Sequence, residues 1–128
     1  MKRSHTDFAL LILRIGFGVL MLVGHGLPKL KKLINGDFRF PKVFGMPDWL
    51  GLSLATFSEF LCAALVILGV KTRLATVPLI ITMLIAAFVI HGSDGWFGSP
   101  SKELALLYLF PFLALFFSGP GKYSIDKM

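Results

Sequence analysis

Four long apolar runs, separated by short polar segments, constrain this chain more than any other feature of its sequence. They span residues 8–24, 49–70, 74–90 and 104–117. A helix needs roughly 20 apolar residues to cross a bilayer core, with about 17 as the lower limit. The last run reaches that length only when Glu103 and Gly119 are added. The sequence therefore predicts an all-α membrane protein: one domain over 1–128, a bundle of four transmembrane helices at about 8–25, 49–70, 73–91 and 103–119, and one long loop between helices 1 and 2.

The overall composition supports a membrane protein and argues against several other classes. Hydrophobic residues make up 55% of the chain and charged residues only 16%, against about 25% charged in soluble domains. Thirteen phenylalanines exclude a disordered chain. The single cysteine, Cys62, excludes both a disulfide scaffold and self-contained dithiol exchange. The net charge of +6 indicates basic residues flanking membrane spans and not a nucleic-acid partner.

The connection after the first run is the only long one, covering residues 25–48 with several glycines and prolines. Near its start, residues 29–33 comprise three lysines and two leucines, so that basic and apolar side chains would lie on different faces of a helix. This pattern fits either a helical turn at the level of the lipid headgroups or a solvated loop. The other connections are a tight turn at 71–73 and a glycine-rich segment at 92–100.

Basic residues divide evenly between the two sides of the predicted bundle, whose termini share one side. The termini side holds Lys2, Arg3, Lys71, Arg73, Lys122 and Lys127. The other side holds Lys29, Lys31, Lys32, Arg39, Lys42 and Lys102. The totals do not fix the orientation, but charges in short segments count most. The short segments 2–3 and 71–73 favour cytoplasmic termini.

Two opposite charges interrupt the first two spans at similar predicted depth. Arg14 precedes His25 by 11 residues, about 16 Å along a helix. Glu59 follows Trp49 by 10 residues, about 15 Å below the same face. Because charges inside a membrane are costly and tend to pair, we expect a structural ion pair between Arg14 and Glu59. The alternative is an arginine that extends to the interface and a protonated, unpaired glutamic acid.

A second polar group collects where helices 1 and 3 end and helices 2 and 4 begin. It comprises His25, Lys29, His91 and Glu103, with Tyr108 and Trp96 nearby. Each residue alone is typical of a membrane interface. Together they indicate a polar mouth that binds a ligand or relays protons.

Two metal chemistries are weaker interpretations of the same residues. A haem held by His25 and His91 would need both rings at one depth, facing each other, and their terminal positions disfavour this. A zinc site would find at most three ligands, His25, His91 and Glu103, without a C-x-x-C or H-E-x-x-H motif. The sequence thus predicts no metal site and leaves the cofactor unknown.

Several short segments follow one another in a fixed order along the chain. They are His25-Gly26-x-x-Lys29-Leu30, the isolated Glu59, Thr72-Arg73-Leu74-Ala75, His91, Glu103, and the tail Gly119-Pro120-Gly121-Lys122-Tyr123-Ser124-Ile125-Asp126. Their order and spacing resemble the DoxX family of small bacterial membrane proteins. The likeness covers about residues 8–126. It implies a four-helix, multi-pass protein of the bacterial cytoplasmic membrane.

The resemblance also implies a redox setting, since relatives include a subunit of a thiosulfate:quinone oxidoreductase and proteins linked to quinone or catechol resistance and thiol balance. The functional hypothesis is a quinone-linked component, at most a membrane subunit of an oxidoreductase. His25 or His91 would exchange a proton with the ring oxygen, and Lys29 or Arg14 would stabilise negative charge. Glu59 and Glu103 would relay protons, with Tyr108 and Trp96 beside the ligand.

In this hypothesis a partner oxidoreductase supplies the electrons, and the chain contacts membrane lipid. Association with further copies of the chain is left open. The alternative is a non-catalytic anchor, assembly subunit or small-ligand-binding module. A proton-coupled carrier is a third interpretation, disfavoured because four spans show no inverted repeat.

Overall fold

A computed structural model describes residues 3–128, so Lys2 lies outside the described residues. Four helices follow in order: α1 (Arg3–Ile34), α2 (Asp48–Leu68), α3 (Thr72–Ile90) and α4 (Glu103–Ser118). A short 3₁₀ turn, Ile125–Lys127, lies near the end of the chain. Residues 3–128 form no strand, only an isolated bridge between Gly95 and Ser101. The predicted all-α class is confirmed.

Three of the four helices are long and apolar enough to cross a membrane, namely α1, α2 and α3. Helix α4 is also apolar but shorter, at 16 residues. The predicted bundle is therefore supported by three candidate spans and one shorter apolar helix.

The helices pack as an antiparallel bundle in which each sequential pair makes contact and α4 returns to α1. Lipid tails are as apolar as leucine, so close packing and small residues hold such helices together. Gly18 shows this: a β-carbon there would lie 2.6 Å from the side chain of Ile67 on α2. The interior is otherwise filled by apolar side chains, including Met21, Val66, Leu79, Phe112 and Leu115.

Helix α1 is much longer than its apolar run. The chain stays helical through Gly26 and Pro28 to Ile34, so the long connection shrinks to residues 35–47. A π-helical turn at Leu22–Gly26 precedes this extension, and the proline occupies an early position in the following α-helical segment, Leu27–Ile34. Proline is tolerated in a first helical turn, where its missing N–H costs little. The ambiguous stretch 29–33 is therefore part of a helix.

The C-terminal tail folds back over one end of the bundle, called here the termini face, where α1 and α3 begin. The backbone N–H of Lys122 donates to the Asp7 carboxylate on α1. The Asp126 carboxylate accepts hydrogen bonds from the backbone of Lys71 and Thr72 at 2.6 and 2.9 Å. Hydrogen bonds from these groups lower the pKa of Asp126. The opposite end, where α2 and α4 begin, is called the loop face.

Candidate ligand cavity

A cavity of about 670 Å³ lies between the helices toward the loop face. Its volume falls within the ~300–1,000 Å³ typical of small-molecule sites. The walls are mainly apolar, from α2, α3 and the loop of residues 35–47. They include Phe40, Val43, Met46, Leu52, Ala55, Phe57, Ile81, Met83 and Ile85.

The polar side chains from α1, α2 and α4 that line this cavity are His25, Lys29, Lys32, Ser58, Glu59 and Tyr108. The Lys29 ammonium lies 2.8 Å from a Glu59 carboxylate oxygen, and the Glu59 side chain is only 5% exposed. The rings of His25 and Tyr108 meet edge to face, with centroids 5.5 Å apart. Within residues 3–128, hydrogen bonds to the His25 ring or the Tyr108 hydroxyl are absent. Both groups are therefore available to a ligand.

His91 lines the cavity from the end of α3. Its Nδ1 lies 2.7 Å from the Asp94 carboxylate, an arrangement that fixes the orientation of the ring. The Lys102 ammonium holds this segment in place by donating to the carbonyls of His91, Gly92 and Asp94. Basic side chains suit these carbonyls because the end of a helix carries partial negative charge.

Two residues of the predicted mouth lie outside the cavity. Glu103 begins α4 and is not among the lining residues. Trp96 packs edge to face on Phe88, with ring centroids 6.1 Å apart, and lies 5.4 Å from the Lys102 ammonium. The polar site thus contains fewer residues than the predicted mouth. It also lies deeper in the bundle than predicted, because α1 continues nine residues beyond His25.

The predicted ion pair between Arg14 and Glu59 does not form. The Arg14 guanidinium is fully buried and donates to the carbonyls of Val66, Ile67 and Tyr123 near the termini face. Glu59 lies beside Gly26, where a β-carbon would lie 2.2 Å from the Glu59 carbonyl oxygen. Along α2, Glu59 precedes the carbonyls that bind the Arg14 guanidinium by seven and eight residues, so the two charges are separated by about two helical turns, roughly 11 Å. The predicted depths were wrong because they assumed that α1 ends at His25, and Arg14 also does not line the cavity.

Each of the first three helices carries a π-helical segment that contributes to the cavity wall. The segments are Leu22–Gly26 on α1, Phe57–Cys62 on α2 and Ala86–Ile90 on α3. They present His25, then Ser58 and Glu59, then Ala86 and Ile90 to the cavity. Such wider turns are rare and occur frequently at functional sites. Three of them around one cavity support its functional importance.

The cavity reaches the lipid-facing surface between α2 and α3. Leu54 and Phe57 on α2 line it and are 50% and 49% exposed, and Ile81 on α3 lines it and is 52% exposed. The apolar wall of the cavity therefore continues to the surface of the bundle.

Several lining residues were not singled out by sequence reasoning. Phe40, Val43 and Met46 come from the loop of residues 35–47, which carries no recognisable motif. Val43 is nonetheless only 4% exposed. Its apolar side chain, in a loop with many turn residues, was the one sequence feature that could have indicated a buried position. The Thr82 hydroxyl on α3 donates a hydrogen bond to the Ser58 hydroxyl on α2 at 2.9 Å. This contact can be predicted only when the pairing of the two helices is known. Within residues 3–128, no three His, Cys, Asp or Glu side chains converge in a way that suits a metal ion.

The fold defines a helical membrane protein with several apolar helices and a cavity between them. The family profile of DoxX matches residues 9–92, which contain α2, α3, most of α1 and all the lining residues named above except Tyr108. The chain belongs to the DoxX family.

Two relatives extend this comparison. An uncharacterized membrane protein of Mycobacterium tuberculosis is 32% identical, over 70% of this chain and 68% of its own length. An uncharacterized protein of Haemophilus influenzae is 33% identical, over 70% of this chain and 61% of its own length. This chain thus spans about two thirds of the curated relatives it matches. No solved structure matches it significantly.

Proposed function

We propose that the chain binds a membrane quinone in the cavity and exchanges protons with its ring oxygens, as a component of a bacterial oxidoreductase system. The observation that carries this proposal is a pair of side chains without hydrogen-bond partners in a cavity whose apolar wall reaches the surface of the bundle. His25 and Tyr108 lie in the cavity without hydrogen-bond partners of their own within residues 3–128, and the apolar wall continues to the surface between α2 and α3.

A quinone fits the chemistry of this wall. Its flat ring carries two carbonyl oxygens that accept hydrogen bonds, while its isoprenoid tail is wholly apolar. The ring would lie near His25 and Tyr108, where it finds donors. The tail would pass Leu54, Phe57 and Ile81 toward the lipid.

The charged residues have separate roles in this proposal. Lys29 would stabilise negative charge that develops on a ring oxygen, and Glu59 keeps the ammonium in the cavity wall through the 2.8 Å contact. His91 would pass protons between the cavity and the loop face, because its side chain is 35% exposed and Asp94 orients it.

Electrons would come from a partner oxidoreductase. Reduction of a quinone takes two electrons and two protons, and the one cysteine of this sequence, Cys62, cannot form an internal disulfide. In this proposal the chain binds, orients and protonates the quinone, and the partner supplies the electrons. The membrane is taken to be the bacterial cytoplasmic membrane.

Equilibrium titration with a benzoquinone carrying a ten-carbon alkyl chain tests the proposal. The protein would be purified in mild detergent and binding followed by tryptophan fluorescence. We expect saturable binding, weakened roughly ten-fold by His25→Phe and by Tyr108→Phe. Each substitution removes one hydrogen-bond donor, worth about 1–1.5 kcal/mol.

The chain provides matched controls for both substitutions. His5 is exposed in the first turn of α1, and Tyr123 lies in the tail with its side chain 44% exposed. His5→Phe and Tyr123→Phe should bind as the unmodified chain does. Absence of saturable binding, or equal binding by cavity and control variants, would reject the quinone proposal and favour a non-catalytic anchor.

A further inference from the structure

The basic residues divide evenly between the two ends of the bundle, but the two groups differ in the partners of their side chains. On the loop face most of them are engaged. Salt bridges join Lys29 to Glu59, Arg39 to Asp37 and Lys42 to Asp48, and the ammonium of Lys102 is satisfied by three carbonyls.

The termini face differs, because its described basic side chains form no salt bridge, and only the charge of Lys127 acts on an acid, lowering the pKa of Asp126 after the hydrogen bonds from Thr72 and Lys71. Within residues 3–128, salt bridges to Arg3, Lys71, Arg73, Lys122 or Lys127 are absent. The two acids on this face accept backbone N–H groups: Asp7 from Lys122, and Asp126 from Lys71 and Thr72. Five described basic residues therefore face two already occupied carboxylates.

Three of these basic residues surround one small pocket of about 280 Å³ between the start of α3 and the end of α4. They are Lys71, Arg73 and Lys127. The Asp126 carboxylate also lines this pocket, where it accepts hydrogen bonds from the backbone N–H groups of Lys71 and Thr72, so three positive charges face one negative charge that is already hydrogen-bonded. The guanidinium of Arg73 is positioned by a 3.3 Å hydrogen bond to the Phe117 carbonyl. Gly119 makes room for it, since a β-carbon there would lie 3.3 Å from two of the guanidinium nitrogens.

Exposed apolar side chains border the pocket. Leu74 on α3 is 67% exposed and also lines it, and Phe117 on α4 is 73% exposed. A molecule seated here would meet positive charge at the end of the bundle and hydrocarbon contacts along its side. That combination is the chemistry of an anionic phospholipid.

We propose that this pocket binds the headgroup of an anionic phospholipid. The phosphate would be held by the side chains of Lys71, Arg73 and Lys127, with an acyl chain along Leu74 and Phe117. Because the cytoplasmic leaflet is the more anionic one, occupancy would also favour the orientation with cytoplasmic termini. This site is separate from the cavity and does not depend on the quinone proposal.

Native mass spectrometry in nanodiscs of mixed phosphatidylglycerol and phosphatidylcholine tests the site. The unmodified chain should retain phosphatidylglycerol preferentially. Lys71→Gln combined with Lys127→Gln should reduce that preference about ten-fold or more, since each basic residue near an anionic surface is worth about a factor of five. The double variant Lys31→Gln with Lys42→Gln, which removes two charges from the loop face, should keep the preference.

Three outcomes would overturn the proposal: no preference in the unmodified chain, unchanged preference in the Lys71 and Lys127 variant, or equal loss in the control. Release of the lipid by millimolar inorganic phosphate would identify a phosphate site instead and would also reject it. If the glutamine variant does not fold, the salt dependence of the unmodified chain decides. The preference should fall steeply between about 50 and 500 mM salt, as screening predicts.

Discussion

The ammonium of Lys29 lies 2.8 Å from a carboxylate oxygen of Glu59, with the glutamate side chain 5% exposed and the lysine side chain 23% exposed. Both residues line the cavity, so the pair places a fixed dipole in an otherwise apolar wall. It also explains how a carboxylate is accommodated in the middle of α2, because an opposite charge at this distance offsets much of the cost of burial.

Removal of one partner of this pair should destabilise the protein strongly. Lys29→Met leaves the Glu59 carboxylate buried without a counter-ion, and we expect a loss of about 3 kcal/mol in the free energy of unfolding. Combining Lys29→Met with Glu59→Met should recover most of that loss. Reversible unfolding in mixed micelles measures both. A double variant no more stable than the single one would show that the pair is not the relevant contact.

Gly26 should tolerate no side chain, because α1 and α2 touch there. A β-carbon would lie 2.2 Å from the Glu59 carbonyl oxygen, so Gly26→Ala should destabilise the bundle by roughly 1–3 kcal/mol. Gly24, in the same π-helical segment, has no atom within 4 Å of the position that a β-carbon would take and is the matched control. Gly24→Ala should be neutral or slightly stabilising in thermal unfolding. Equal effects of the two substitutions would contradict the close approach.

Arg14 should hold the C-terminal tail against the bundle. Its guanidinium is buried and bonds the carbonyls of Val66, Ile67 and Tyr123. Arg14→Met removes these hydrogen bonds, including the one that joins α1 to the tail at the Tyr123 carbonyl, so amide hydrogen exchange in residues 121–127 should rise about ten-fold or more. Arg3→Met, an exposed change on the same helix, should leave exchange unchanged. Unaltered tail protection in Arg14→Met would refute this role.

Asp126 should make tail docking sensitive to acid. Hydrogen bonds from Thr72 and Lys71 lower the pKa of Asp126, so its ionised form is the one that favours the docked state. A depressed pKa in the folded state gives stabilisation that is present above the ordinary aspartate pKa, near about 4. That stabilisation is lost as the pH falls through the lower folded value.

The measurement is hydrogen exchange of the tail, corrected for intrinsic rates, between about pH 7 and pH 2.5. Protection should decline below about pH 4. Asp126→Asn should have weak protection at every pH and little further pH dependence. An identical pH profile in Asp126→Asn would assign the acid sensitivity to another group.

The membrane class and the helical architecture were predictable because they rest on run length and hydropathy, which are local properties. The length of α1 was not. Gly26 and Pro28 are ordinary signals for the end of a helix, yet Gly26 closes a π-helical turn and the chain stays helical from there through Pro28 to Ile34. That one difference changed the relative depth of Arg14 and Glu59 and with it the predicted ion pair.

The candidate site was only partly predictable for the same reason. His25, Lys29, Glu59, His91 and Tyr108 do meet at one cavity, since each carries a polar group that a membrane span must place inside the bundle. Arg14 found its partners among the backbone carbonyls of α2 and of the tail. Backbone carbonyl partners cannot be predicted from residue types, because every residue carries a carbonyl.

The most direct test of quinone binding is the quinone content of protein purified in mild detergent from bacterial membranes, measured by mass spectrometry after solvent extraction. Ala55 is buried in the cavity wall, whereas Ala9 is exposed on α1, so Ala55→Trp fills the cavity and Ala9→Trp is its control. The proposed function predicts about one quinone per chain in the unmodified protein and in Ala9→Trp, and several-fold less in Ala55→Trp. Equal quinone content in all three proteins, or none in any, would contradict it.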